Sequence, residues 1–583
     1  MTARLGWLRI STLLLGLIGP ARAALAQDSV VVIHPDAVDE PTEGALPPEL
    51  VQQLINAYND STTTRLASSF TLPAGARMEG RIAMYRGTLR VLGRIDGPVT
   101  VINGDLVIGP GGVVRGSVLV VGGRIYVRDG GRLDGDQKTH DALAAVYRMP
   151  NGLLVLRERR RPLGELAAAH TEFQTGALNT RLTLETGKTY NRVEGLPIIF
   201  GPTFRSEGGP GLDVELDVRG IFRPATDRTK LRDNIGFRIT TEWQIGTDRR
   251  WLRIGGRASR EIVPIEQQPL TRGESGWSAF MLQRDYRDHF ETRGAEGYLT
   301  VEPVPRLQLS YGLRSDLERS VPASDPVSVF RNRDTWRPNP LVDDGRYLTH
   351  RLGLRYDSRN DPADPTNGWL VTATYEDSRT DDASPVSLPT AIRPPILPGR
   401  YHFAKLAFDI RRYARFDPKS RVNARLVGAG WVDGDPLPIQ RRVSLGGPDI
   451  LPGFGFRSQN CAPPGYVDPT QAALCDRSLA FQLEVRRNLP LPLPLRLRNA
   501  DLAMLQQLLG IQQADLVLLG NVGKAWLTGE GPGRVPNNRI PRFNEWDADI
   551  GIGIDAGGLA VYLAKPLAVD DKFRFILRLE RRF

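Results

Sequence analysis

From about Tyr190 to Phe583 the chain alternates apolar and polar residues with a period of two. Beyond its first 26 positions it has no apolar run long enough for a membrane-spanning helix. A chain of this kind must bury its apolar faces as sheet. Leu212, Val214, Leu216 and Val218 alternate with Asp213, Glu215, Asp217 and Arg219, and Trp369, Val371, Ala373 and Tyr375 with Leu370, Thr372, Thr374 and Glu376. Similar strands read at residues 307–314, 348–356, 403–411, 422–431, 479–486 and 551–556. A soluble sandwich also places opposite environments on a strand's two faces, so alternation by itself leaves sandwich and membrane barrel open.

Three features favour the barrel. After Trp7 every Trp falls between Trp243 and Trp546, inside the alternating region, as interfacial aromatic girdles require. Residues 190–583 hold about 16 strands at roughly 24 residues per strand and connection. The chain also ends on a strand: Phe573, Phe575, Leu577 and Leu579 alternate with Lys572, Arg574, Arg578 and Glu580, and Phe583 is last. Phe575, Leu577, Leu579 and Phe583 therefore read as the closing signal, since a barrel that pairs its last strand with its first leaves no edge for lipid to solvate.

The first 26 residues carry Arg4 and Arg9, the apolar stretch Ile10–Ile18 and Ala24-Leu25-Ala26, the order of a secretory signal peptide. Its removal, with Arg4, Arg9 and Arg22, takes the formal charge from +10 to +7, too small an excess to argue for nucleic acid. Export permits disulfides. Cys461 and Cys475 share one Gly/Pro-rich segment, where a bridge is favoured over two free thiols.

Residues 88–135 divide into hexads whose second positions are Leu89, Ile95, Val101, Val107, Val113, Leu119, Ile125 and Gly131. A six-residue period with one inward aliphatic predicts a short β-helix of fewer than three coils; Gly-rich hairpins are the competing reading. It resembles the polymer-forming bactofilin-type β-helix by pattern alone. Residues 27–87 read as a periplasmic linker with one helix, Pro48–Tyr58, and residues 136–189 as a second linker. That linker carries the basic run Arg157–Arg161, which reads as a solvated face, and a helix-like ELAAAH.

Four blocks carry a family resemblance. They are Tyr356-Asp357-Ser358-Arg359 through Pro362 and Pro365 to Gly368; Arg441-Arg442 through Gly446-Gly447 to Leu451-Pro452-Gly453-Phe454; Asn521-Val522-Gly523-Lys524-Ala525-Trp526; and Gly551, Gly553 and Gly558 with Leu563-Ala564-Lys565-Pro566-Leu567 and the terminal Phe583. In this order they resemble the BamA/TamA-type bacterial surface antigen family, the outer-membrane insertase and translocase superfamily. Tyr190 to Leu196 resembles the barrel opening of some members. The resemblance implies an all-β chain: a transmembrane antiparallel barrel over 190–583, preceded by the periplasmic β-helix. It also implies a location in the outer membrane of a Gram-negative-type envelope, and a loop Gly446–Phe454 folded into the lumen against the strand of Asn521, Gly523 and Trp526.

Two departures qualify it. The family's lumenal arginine and facing aspartate are here Pro452 and Asn521, lost together, with Arg457 as the nearby substitute. The periplasmic POTRA modules that receive clients are replaced by the hexad region. Enzyme signatures are absent: His34, His140, His170, His289, His350 and His402 are scattered, and no GxSxG or complete phosphate loop occurs. No cofactor or metal is expected. The expected function is insertion or translocation of protein or lipid clients, with outer-membrane lipid, client polypeptides or other envelope proteins as partners. The alternative is a structural anchor whose β-helix stacks on itself or on a periplasmic partner.

Overall fold

The computed structural model describes residues 46 to 582 apart from internal stretches, the longest being 157–167, 225–232 and 491–512. The leader, the basic run at 157–161, Gly558 and Phe583 lie outside the described residues. No described helix is long and apolar enough to cross a membrane.

The N-terminal part is a three-faced β-solenoid of parallel strands. One face stacks β1 (Thr64–Leu66), β4 (Ile82–Tyr85), β7 (Val99–Ile102), β10 (Val118–Val121) and β13 (Gln137–His140). The second stacks β2 (Phe70–Leu72), β5 (Thr88–Val91), β8 (Asp105–Ile108) and β11 (Ile125–Val127). The third stacks β3 (Arg77–Glu79), β6 (Arg94–Asp96), β9 (Val113–Arg115) and β12 (Arg132–Asp134). The solenoid thus starts at Thr64, upstream of the hexads, and completes more coils than they predict.

The hexad frame holds at its first three rungs, fails at the next three and returns at Ile125, which packs against the core. Leu89, Ile95 and Val101 are fully buried, but Val107, Val113 and Leu119 are half-exposed, and Leu106, Ile108, Val114, Val118 and Val120 fill the core instead. The slip comes ahead of β8: from Val101 to Leu106 the inward position advances by five residues rather than six, which turns Val107 outward. The corner Gly109-Pro110-Gly111-Gly112 then makes the connection from β8 to β9 two residues longer than that from β5 to β6. Gly112 cannot carry a side chain there, because a Cβ would lie 2.2 Å from the carbonyl oxygen of Val91.

Some solenoid side chains point outward and are still buried. Helix α1 (Pro48–Asn59) lays Val51, Leu54, Ile55 and Tyr58 over Ala83, Tyr85, Ile102 and Val121, with the hairpin of β14 (Val146–Arg148) and β15 (Leu154–Leu156) beside it. Asn59 clips the helix end to this hairpin, its amide giving to and receiving from the Leu154 backbone at 2.7 Å in both directions.

The second part is one antiparallel wall. Its first strands are β16 (Ala168–Thr175), β17 (Leu178–Thr186), β18 (Ile198–Glu207), β19 (Leu212–Phe222), β20 (Ile235–Thr247) and β21 (Arg250–Pro264). Then come β22 (His289–Val304), β23 (Leu307–Ser320), β24 (Gly345–Asp357), β25 (Gly368–Ala383), β26 (Gly399–Asp417) and β27 (Ser420–Gly434). The last are β28 (Arg477–Pro490), β29 (Gln513–Thr528), β31 (Asp547–Asp555), β32 (Ala560–Pro566) and β33 (Arg574–Arg578); the two-residue β30 (Arg534–Val535) lies parallel on β29. Every strand read from the alternation lies in this wall. The wall begins at Ala168, however, inside the stretch read as linker, and part of ELAAAH is strand: pairing with β17 overrides the helical preference of Ala168 and Ala169.

The wall is inside-out relative to a soluble sheet. On β28, Phe481, Leu483 and Val485 are 40%, 38% and 40% exposed, whereas Gln482, Glu484 and Arg486 between them are at most 1% exposed. Water outside and oil inside would give the reverse, so the outer face meets lipid and the inner face a polar lumen. Trp243 and Trp369 stand exposed on the outer face, but Trp336 and Trp526 are buried, so the Trp distribution is only partly a girdle.

At one end of the wall most strands are joined by short turns, such as 418–419, the 22-residue connection 491–512 excepted, and at the other end by longer connections, such as 435–476. The solenoid meets the short-turn end. Arg415, near the end of β26, pairs with Asp105 at 2.6 Å and donates to the Gly122 carbonyl at 2.7 Å, and Arg86 donates to Asn488 on β28 at 3.4 Å.

Candidate functional site

The long connection 435–476 folds back into the lumen, and its residues explain why. Gly446 and Gly447 have φ of +107° and +117°, values that turn the chain sharply and that a residue with a Cβ resists. Short antiparallel bridges, Val443 to Cys475, Leu445 to Gln459 and Gly447 to Leu451, hold the two limbs together, and Cys461 is bonded to Cys475. Val443, Leu445, Ile450, Leu451, Phe454 and Cys475 make an apolar knot with Val427, Ala480 and Ala525 of the wall.

Polar anchors then fix the loop tip. Gln482 of β28 donates to the carbonyls of Asp449 and Ile450 at 2.8 and 2.9 Å, and Gly453 donates its backbone N–H to Asp549 of β31 at 2.9 Å. A Cβ on Gly453 would lie 2.6 Å from the Asp549 Cβ, so this close approach requires glycine. Gln459 reaches the third block, donating to the Gly523 carbonyl at 3.2 Å and accepting from the Ala525 N–H at 2.7 Å. Leu451, Pro452, Gly453 and Phe454 are all buried.

Where the ion pair would stand, Asn521 sits in a hydrogen-bonded cluster. Asn521 is paired in register with Asp549, and its amide donates to that carboxylate at 2.6 Å. Its own Oδ1 accepts from Arg582 at 2.9 Å and from Gln482 at 3.4 Å. An acid on the next strand, Asp549, and a guanidinium from near the chain's end, Arg582, thus both bind the neutral Asn521, and Arg582 also pairs with Glu484 at 3.2 Å. Arg457 does not stand in for the absent loop arginine. It pairs with Asp288, which Arg192 and Arg337 also contact. Asp288 lies in the connection ahead of β22. Burial opposes its charge, yet Arg337, Arg457 and Arg192 together outweigh that and hold its carboxyl well below the usual carboxylate range.

The last strand is tied into the same cluster. Phe575 and Leu577 of β33 face outward, whereas Arg578 is fully buried and donates to Glu274 at 2.7 and 2.8 Å and to Asp449 at 3.3 Å. Glu274 also accepts from the backbone N–H groups of Leu579 and Glu580 at 2.9 and 3.2 Å. Among the described residues β33 pairs in the sheet with β32. Asp449 continues to Arg425 at 3.3 Å and Arg425 to Asp409 at 2.8 Å, so an unbroken ion chain crosses from helix α2 (Arg272–Leu282) through the last strand and the loop tip to β26. The first block joins as well: Arg359 forks onto Asp357 at 2.7 and 2.9 Å within its turn, and Asp364 of that turn takes both Arg421 and Arg581.

All four blocks therefore converge in one lumenal site. The loop residues Gly446, Gly447, Leu451, Pro452, Gly453 and Phe454 meet the strand of Asn521 and Gly523, and Trp526 is buried at its end. Sequence reasoning missed Glu274, Asp449, Asp549, Arg578 and Arg582. For Glu274 a signal existed: Thr271-x-x-Glu274 is a helix-start pattern, and the Thr271 hydroxyl accepts from the Glu274 N–H at 3.3 Å. Among the described residues no group of three or more His, Cys, Asp or Glu side chains is placed to hold a metal ion.

Residues 325–463, which contain the first block and the folded-back loop, match the Omp85 superfamily domain. The matched segment runs from the connection ahead of β24 through the loop tip, so the match falls on the part of the wall that supplies the lumenal plug. No curated protein matches the chain. Solved structures similar to it include BamA from Haemophilus ducreyi lacking POTRA domains 1-3, 14% identical over 70% of this chain and 74% of that one, with a TM-score of 0.38. CdiB from Acinetobacter baumannii is 11% identical over 71% and 66%, and Pseudomonas aeruginosa OpdL is 13% identical over 70% and 87%, each with a TM-score of 0.29. At those scores none of the three bears on what this chain does.

Proposed function

We propose that this outer-membrane barrel inserts or translocates protein or lipid clients, with the solenoid on the periplasmic side. The observation that supports this most is the Omp85-matching loop seated in the lumen and fastened both to the wall and to the last strand. A simple pore needs no such coupling between its plug and its terminal strand. The solenoid's contact with the short-turn end supports the orientation, since short turns of outer-membrane barrels face the periplasm. No catalytic chemistry is assigned to the barrel.

The protein is expected to fractionate with outer membranes, to resist carbonate and high salt, and to run faster unboiled than boiled. Extraction by either treatment would remove the barrel reading altogether. For client handling, depletion of the protein is expected to lower the levels of several other barrels or to alter outer-leaflet lipid. Unchanged levels of both, with only envelope shape altered, would favour the anchor reading.

One feature supports that second reading. The last coil leaves Tyr126 and Val127 exposed, apolar surface that another copy would cover. A fragment of residues 46–156 is expected to show β-rich circular dichroism and to self-associate at high concentration. A fragment that folds but remains strictly monomeric would remove the anchor reading and leave client handling untouched.

A further inference from the structure

The lipid-facing row of β31 is Ile554, Ile552 and Ile550, between 48% and 55% exposed, then Ala548, and Trp546 continues it past the strand's first residue, Asp547. β31 has nine residues, and a tilted strand spans the apolar layer with about 9–11. Asp547 pairs with Gly523 of β29. One step beyond that rung, the outward positions of β29 change from Leu518, Gly520 and Val522 to Lys524, and β28 then presents Arg477 opposite Trp526. Three adjacent strands thus leave the apolar band close to the Gly523–Asp547 rung, and aromatic and basic side chains at that level mark the headgroup boundary.

The connection 529–546 leaves the end of β29 and runs along this edge. Arg477 donates to the Asn537 carbonyl at 2.7 Å, which ties the loop to the wall, and Arg534 is spent at the loop's base on the carbonyls of Ala391 and Ile392, both at 3.0 Å. The tip has a different character. Ile540 is 64% and Phe543 76% exposed. Phe543 stacks on Trp546, with centroids 5.4 Å apart and planes 20° from parallel, and the Trp546 indole donates to the Pro541 carbonyl at 3.2 Å. Water is a poor environment for such a pair, and a lipid boundary a good one. Arg539 and Arg542 flank these apolar residues, are exposed, and make no ion pair among the described residues; Glu545 is the one carboxylate of the tip.

We infer that this tip docks on the outward leaflet of the membrane, with Ile540, Phe543 and Trp546 among the upper acyl chains and Arg539 and Arg542 on the phosphates of a glycolipid. A guanidinium matches a phosphate in both charge and fork geometry, and two of them three residues apart suit a headgroup that carries more than one. The inference rests on the reading of the wall as membrane-spanning. It gives the loop between β29 and β31 a partner outside the lumen, separate from the folded-back plug.

The test is native mass spectrometry of the full chain, purified in non-ionic detergent and titrated with lipid A, a diphosphorylated glycolipid, or with the same lipid stripped of its phosphates. Lipid A is expected to be retained more than tenfold more tightly, at about fivefold for each arginine near an anionic headgroup. Arg539→Gln with Arg542→Gln is expected to remove most of that preference, and Phe543→Ser to weaken retention of both lipids alike. Equal retention of the two lipids by the unaltered chain, or an unchanged preference in the double variant, overturns the site. A second measurement reads depth: in phosphatidylcholine vesicles, the emission lost on Trp546→Phe is expected to be quenched by lipid brominated near the headgroup, and absence of quenching overturns the placement at the boundary. Variants are first checked for the fast-migrating unboiled form; if the double variant lacks it, the quenching decides alone. Carbonate release of the unaltered protein would instead overturn the membrane reading itself, an outcome distinct from an integral barrel without phosphate preference.

Discussion

Arg578→Ala is expected to destabilise the folded barrel by about 3–5 kcal/mol, the largest single effect anticipated for a wall residue. The guanidinium is buried between the carboxylates of Glu274 and Asp449, so its removal takes the cation from Glu274 and leaves Asp449 with Arg425 alone. Glu274→Gln should cost less, because Arg578 keeps Asp449 and the amide oxygen can still accept from Leu579 and Glu580. Replacing the pair together, Arg578→Met with Glu274→Leu, should recover part of the loss, since apolar residues of similar volume often match a buried ion pair. The readout is the urea midpoint of the fast-migrating unboiled form. An Arg578→Ala midpoint indistinguishable from that of the unaltered chain would show that the last strand is not held through the lumen.

The second large effect is expected at Asn521. Asn521→Asp sets a new carboxylate within hydrogen-bond distance of the buried Asp549, and two ionised carboxylates at that separation repel. The cost should be about 2–4 kcal/mol at pH 7, moderated by Arg582, which already contacts position 521. Exchanging the two, Asn521→Asp with Asp549→Asn, restores one acid facing one amide. It should recover most of the stability, with a coupling of about 2 kcal/mol in a double-mutant cycle. Purely additive effects would mean the two side chains do not meet. Pro452→Arg is now expected to find an acid nearby, Asp549, where the sequence suggested only the neutral Asn521.

Much of the architecture was legible because it depends on period. Two-residue alternation needs no knowledge of distant partners, so the strands at 212–218, 369–375 and 479–486 could be read directly, and all lie in the wall. The solenoid was legible as a repeat but not in extent or phase: its outer strands break the hexad, and the inward step from Val101 to Leu106 is five residues rather than six, which only the stacking of coil on coil reveals. Ala168 and Ala169 showed the converse, local helical preference yielding to a ladder with β17.

The sequence by itself determined that this chain is a two-part all-β protein with an outer-membrane-type barrel and an Omp85-like lumenal loop. Those properties follow from local period, turn glycines and block order, which short-range sterics impose wherever the chain goes. Only the tertiary structure decided which polar groups face each other: that Asn521 meets Asp549 on one side and Arg582 on the other, and that Glu274 receives the last strand. Those partners are separated by 28, 61 and 304 residues in sequence. Their pairing depends on the curvature and register that bring distant strands together around one lumen, where an unpaired charge is too costly to leave and the nearest opposite charge in space must meet it.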